Sequence, residues 1–271
     1  MKSILLPTDQ STEMPSAFET ARLVATMFGG TIEGVALRPI FAEVVAPDPI
    51  VAVTIPPTEW DEDRFCRTTR QMFDAFAARY PAGLPGGAMF RWRGGRAIDD
   101  GAIGSLARIF DLTVMERPGP HGSRMTALES VLFDSGRPIM MAPPKPPTTL
   151  GDNVIIHWNQ STETSRAIAL AMPFLARAKR VLVLTVEGNT VAGPSNKEIA
   201  GTLALHGIQV QDKTVPSKAG PGETILAEAR AFGADLLIKG AYTQSRLRQM
   251  IFGGATSHIL AHADLPVFLS H

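Results

Sequence analysis

The chain has 271 residues, enough for one large domain or two of ordinary size. Its 26 basic and 26 acidic residues cancel, and no basic patch stands out, which speaks against nucleic acid as the main partner. A single cysteine, Cys66, excludes an internal disulfide and a cysteine metal cluster, and no apolar run approaches the about 18–20 residues needed to cross a bilayer.

The N-terminus enters an apolar run at once, Lys2-Ser3-Ile4-Leu5-Leu6-Pro7, without a secretion signal, so a soluble cytoplasmic protein is expected. Strand-like runs follow near 31–37, 88–93, 111–116 and 138–142. Helical patterns fall between them over 13–28, 59–80, 98–110 and 126–134. Cys66 lies in one of these patterns beside Phe65 and Met72 and reads as a buried structural thiol. Asp99-Asp100 heads another, where carboxylates complement the helix dipole. Residues 40–58 interrupt the alternation with an apolar segment broken by prolines, which disfavour a central strand or a helix.

The pattern then repeats. Ile4-Leu5-Leu6-Pro7-Thr8-Asp9-Gln10-Ser11-Thr12-Glu13 returns as Val154-Ile155-Ile156-His157-Trp158-Asn159-Gln160-Ser161-Thr162-Glu163. Asp111-Leu112-Thr113-Val114-Met115 likewise returns as Asp235-Leu236-Leu237-Ile238-Lys239, and the run 137–141 as 265–269. A proline-rich linker over 142–149 separates two copies of one domain, residues 1–143 and 151–271. The second copy predicts strands near 153–158, 180–186, 208–215, 235–239 and 266–270. Its helices are predicted at 163–176, 195–206, 222–232 and 255–262. Runs such as Val181-Leu182-Val183-Leu184 are apolar without alternation, as in strands covered on both faces. Alternating β and α with short connections means a doubly wound, parallel α/β sheet. Ser11-Thr12-Glu13 and Ser161-Thr162-Glu163 read as helix caps.

The segment after Ile238 carries the ligand chemistry. Gly240 follows a buried strand, and Gly253-Gly254 precede a helix start at Ala255-Thr256. Glycines there allow the main chain to approach a phosphate, and the helix N-terminus adds positive charge. In this layout the segment resembles the nucleotide loop of the universal stress proteins: glycine, two residues, glycine, nine residues, glycine, then Ser or Thr. Gly240 and Gly253 keep the pattern, while Thr243 replaces its second glycine and Gly254 its hydroxyl. The closing run from His258 to Leu269 also resembles that family's last helix and strand.

The resemblance covers essentially the whole chain and implies two tandem five-stranded domains of strand order 3-2-1-4-5. It implies a stress-response binding or regulatory role, with an adenine nucleotide (ATP, ADP or AMP) in the second copy. Loops after the first, second and fourth strands would meet there, giving Asn159, Val186, Gly240, Thr243, Arg246, Gly253, Gly254, Ala255 and Thr256 as site residues. Asn159 stands where ATP-binding members carry an acid, so no metal is expected. Arg246 and Arg248 add positive charge to the same loop. The first copy keeps Asp9, but Glu116 falls at the position of Gly240, prolines follow it, and Met125-Thr126 replace Gly253-Gly254. A phosphate is disfavoured there. That copy is expected to serve pseudo-symmetric packing or a homodimer.

No catalytic signature is present, and weak ATP hydrolysis stays open. The alternative is a module that binds no nucleotide and docks a partner, or a second copy, through residues 40–58.

Overall fold

The computed structural model describes residues 1–39, 41, 43–47, 50–54, 59–118, 124–217, 219–241 and 254–271, and of 43–47 and 50–54 the backbone alone. In the first half the strands are β1 (Ser3–Thr8), β2 (Thr31–Ala36), β3 (Glu43–Pro47), β4 (Ile50–Thr54), β5 (Met89–Trp92), β6 (Leu112–Met115) and β7 (Ile139–Met141). The helices are α1 (Met14–Phe28), α2 (Glu62–Ala77), α3 (Ile103–Ala107) and α4 (Met125–Asp134). The second half has β8 (Asn153–His157), β9 (Arg180–Val186), β10 (Val210–Val215), β11 (Leu236–Gly240) and β12 (Val267–Ser270). Its helices are α5 (Thr162–Leu175), α6 (Asn196–Leu205), α7 (Pro221–Phe232) and α8 (Ala255–His262).

Ten strands form one sheet in the order β10-β9-β8-β11-β12-β7-β6-β1-β2-β5. Each half therefore has the order 3-2-1-4-5, counted within itself. The sequence predicts two five-stranded sheets, and the structure joins them: Val267, Phe268 and Leu269 pair antiparallel with Met141, Met140 and Ile139. All six side chains are fully buried. Each half would otherwise expose an apolar strand edge, and pairing the two removes both liabilities. The free edge at β10 is blunted instead by Gln211, Asp212 and Lys213.

Helices cover both faces. One layer contains α1, α2, α5 and α6, with Phe18, Phe73, Ala171 and Leu203 on one side of the sheet. The opposite layer contains α3, α4, α7 and α8, with Ile103, Val131, Ile225 and Ile259. Central strands are buried on both sides and so carry no polar alternation.

Two expectations need correction. The helix predicted over 98–110 is reduced to α3, because Ile98 bridges to Leu37 as an extension of the sheet. Within α3, Gly104 packs so closely on α4 that a Cβ would lie 2.2 Å from the Ser130 carbonyl oxygen. Residues 43–47 and 50–54 pair antiparallel as β3 and β4, a two-stranded sheet separate from the ten-stranded one, in keeping with the expectation that the prolines exclude a central strand. Pro47 is tolerated at its strand end, where no central ladder bond is lost. The two Ser-Thr-Glu caps also differ. Ser161 accepts a bond from Thr164 N at 3.2 Å and caps α5, whereas α1 starts at Glu13 with no side-chain cap and a proline in its first turn.

Candidate functional site

The site predicted in the second half lies at the carboxyl ends of β8, β9 and β11, beside the point where strand order reverses between β8 and β11. Parallel pairing sets Lys239 of β11 beside His157 of β8, so the segments beginning at Gly240 and Trp158 leave the sheet side by side. The glycine at 240 has a packing reason in the structure. A Cβ there would lie 2.4 Å from Thr164 N and 2.6 Å from the Glu163 carbonyl carbon, so its close approach is to the first turn of α5.

That turn also holds Asn159. Its Oδ1 accepts from Thr164 Oγ1 at 2.5 Å and from Ser161 N at 3.3 Å, an Asx-type arrangement that fixes the loop after β8. The loop after β9 folds back on it. Trp158 Nε1 donates to the Pro194 carbonyl at 2.8 Å, and Val191 N donates to the Asn159 carbonyl at 3.1 Å. Val186 is fully buried at the end of β9, and its carbonyl accepts from Asn189 N. It therefore shapes the floor through its side chain while its backbone is committed to the turn.

Gly254 is the N-cap of α8 and, having no side chain, offers no cap to the first turn. Helices α5 and α6, in contrast, are capped by Ser161 and by a Ser195–Glu198 capping box. Ala255 is half-buried at the first helical position. Thr256 is buried, and its Oγ1 accepts from Lys239 Nζ at 2.8 Å. Thr243, Arg246 and Gly253, with Arg248, lie outside the described residues. The structure thus brings Asn159, Gly240 and the loop after β9 together through α5, and links β11 to Thr256 of α8 through Lys239.

Lys239 and His157 carry no role in the sequence analysis. Both side chains are buried. Burial draws the lysine ammonium down to about 7, and burial, with the lysine beside it, pulls the imidazole down to about 3. The signal available in the sequence was a lysine closing an otherwise apolar strand, directly before the glycine.

Comparison with known proteins places this geometry. A model of the universal stress protein family matches residues 160–271. That match lies wholly within the second half of the chain. The fold extends over the rest. A universal stress protein from Archaeoglobus fulgidus superposes on 99% of this chain and 96% of its own, with a TM-score of 0.74 and 17% identity. A functionally unknown protein from Pseudomonas aeruginosa superposes on 100% of this chain and 92% of its own, with a TM-score of 0.58 and 13% identity. In sequence, the stress response protein NhaX of Bacillus subtilis is 35% identical over 49 residues, 18% of this chain. The match spans only 30% of that relative's length.

In the other half of this universal stress protein fold, the corresponding spot is filled. Arg124 occupies the N-cap position of α4, the counterpart of α8, in a left-handed conformation with φ of 67° and makes no capping bond. Its guanidinium donates to Asp9 Oδ2 through Nε at 2.8 Å and again through Nη2. Nη1 donates to Asp100 Oδ1 at 2.8 Å and to the Arg38 carbonyl at 2.7 Å. Glu116 lies 3.8 Å away. Burial and the neighbouring Asp9 push the Glu116 carboxyl up to about 8, and burial raises Asp100 as well. Asp99-Asp100, read from sequence as dipole complements, are ion-pair partners of Arg38 and Arg124. Cys66 is half-buried among Phe65, Trp60 and Trp92, and burial raises its thiol.

Among the described residues no helix is long and apolar enough to cross a membrane.

Proposed function

We propose that this chain is a cytoplasmic tandem universal stress protein whose second half binds an adenine nucleotide and acts in stress-response regulation. The observation that carries the reading is the bare start of α8. Among the described residues its first-turn N–H groups have no side-chain cap, and Lys239 of β11, the strand at the order switch, reaches its Thr256. Phosphates would lie at this helix start, with Gly254, Ala255 and Thr256. The loops bearing Asn159 and Val186 would face the base and ribose, and Thr243, Arg246 and Gly253 complete the proposed set from sequence. In the first half, Arg124 and its acids take the equivalent place, so one nucleotide per chain is expected.

Mass spectrometry of small molecules released by denaturation, with calorimetric titration of ATP, ADP and AMP, tests this. The expected result is a stoichiometric adenine nucleotide that Gly253→Asp abolishes while the fold persists. Unchanged binding in Gly253→Asp would sink the assignment.

A second reading draws on the β3–β4 hairpin, an apolar sequence folded as a sheet of its own. It would dock a partner or a second copy of the chain. Deleting residues 42–56 should then change the assembly state seen in sedimentation, and an unaltered profile counts against it.

A further inference from the structure

The two halves place a buried cation at equivalent spots but surround it differently. In the first half, Arg124 has Asp9, Asp100 and Glu116 around it. In the second, Lys239 reaches the first turn of α8 from below, and its described polar partners are neutral: the Gly240 carbonyl at 2.5 Å and Thr256 Oγ1 at 2.8 Å. The sequence contains no carboxylate between Asp235 and Asp264. The counterpart of Lys239 in the first half is the apolar Met115, so the repeat does not require a lysine here.

A cation under a helix N-terminus is also at the wrong end of the dipole, which favours negative charge there. His157 compounds the imbalance. It is 2% exposed, lies in register beside Lys239, and its Nε2 has no hydrogen-bond partner among the described residues. Among those residues the buried amine at Thr256 and the start of α8, which lacks a side-chain cap from Gly254, thus have no negative partner, and the imidazole beside the amine is neutral. An anion at the start of α8 would answer both the amine and the helix N–H groups.

We propose that Lys239 supplies the positive charge of a metal-free phosphate site, so that the second half binds its nucleotide without a divalent cation and takes up a proton as it does so. This rests on the nucleotide reading above and adds the manner of charge compensation. The donor set agrees, because Asn159 offers an amide where a metal would need a carboxylate. Lys239 is the group that titrates. Of the elements around it, β8 presents His157, held neutral by burial, and β12 presents Leu269 in register. α8 presents Thr256 and the partly exposed His258, which faces His262 and Glu223 of α7. α5 meets β11 at Gly240 through Glu163 and Thr164. In the free protein at pH 8 the amine is mostly neutral, and a bound phosphate raises its proton affinity.

The test is calorimetric titration of the full chain with ADP at pH 8, in HEPES and in Tris, with EDTA or with Mg²⁺. ADP is fully ionised at that pH, so its own phosphates contribute little to the proton count. The expected result is a Kd that agrees within about threefold between EDTA and Mg²⁺, with close to one proton taken up per ADP. Lys239→Met should weaken binding by about tenfold or more and remove the proton uptake. The wild-type measurements decide the matter even where that variant does not fold. Binding that needs Mg²⁺, or that is silent in proton exchange, overturns the inference and leaves the nucleotide reading standing. Absence of heat with ADP, AMP and ATP alike overturns both.

Discussion

Replacing Arg124 by Met removes the charge at the centre of the first half while keeping an unbranched side chain in its place. The side chains involved are almost wholly shielded, with exposures of 7% for Arg124, 9% for Asp9 and 12% for Asp100. Removing one partner of a buried ion pair leaves the other uncompensated, at a typical cost of about 3–5 kcal/mol. The bond to the Arg38 carbonyl adds about 1 kcal/mol. Asp9 keeps its bond from Ser11 N at 2.8 Å, which places the expected loss near the lower end, about 3–4 kcal/mol at pH 7. Urea unfolding followed by circular dichroism should show a lower midpoint with an unchanged slope. The pH dependence separates this cause from a packing defect. Without the guanidinium, the buried acids hold protons more tightly in the folded than in the unfolded chain, so the variant loses stability as pH rises. Its deficit should therefore be smaller at pH 5 than at pH 8. Asp9→Asn combined with Arg124→Met should be less damaging than the sum of the two changes. A loss below about 1 kcal/mol, or a deficit constant from pH 5 to 8, would refute the reasoning.

Glu116→Gln should act in the opposite direction. Burial and Asp9 push the folded carboxyl up to about 8, above the usual carboxylate range, so the folded chain holds the extra proton and stability falls as pH climbs through that window. The variant should match wild type near pH 4 and exceed it at pH 8 in thermal melts; a variant less stable at pH 8 would contradict this. Gly240→Ala drives a Cβ to 2.4 Å from Thr164 N and should cost about 1–3 kcal/mol in urea unfolding, a loss that vanishes only if α5 can shift freely. Ser161→Ala should cost about 1 kcal/mol through the lost cap of α5, whereas Ser11→Ala in the identical tetrapeptide should not show a cap loss, since α1 has no side-chain cap. Equal cap losses for the two would mean that the repeat is more symmetric than its helix starts indicate.

Much of the architecture is legible in the sequence because it rests on local periodicity. The repeated Gln-Ser-Thr-Glu, the unalternating apolar strands and the spacing of helices define two copies of one α/β unit, and α8 begins and ends where its pattern does. What escapes is set by tertiary contact. The apolar runs of β7 and β12 read as strands, but nothing in either run says that the two pair with each other. The prolines of residues 40–58 argue against a central strand, and a hairpin outside the main sheet satisfies that constraint in a form the composition does not specify. Identical tetrapeptides diverge at Ser11 and Ser161 because Ser165 N donates to the Ser161 carbonyl at 3.0 Å, whereas Pro15 at the matching position has no N–H to give.

The candidate site is read from the sequence by position and not by charge. Loops after the first, second and fourth strands follow from topology, and Glu116 is visible as an acid where a glycine is expected. Its partner Arg124 lies across from Asp9, 115 residues away in sequence, and enters the cluster only through the left-handed start of α4. Lys239 looks like the polar end of a strand until packing buries it. Once both are in place, the divergence of the halves has one physical description. A buried guanidinium in the first half is matched by carboxylates from the segments after β1 and before α3, so its charge is settled within the fold. A buried amine in the second half meets only a carbonyl and a hydroxyl, so its charge is stable only when low proton affinity neutralises it or an outside anion answers it. The two halves thus share one strand order but differ in how the fold answers a buried cation: with carboxylates in the first, and among the described residues with neutral groups in the second.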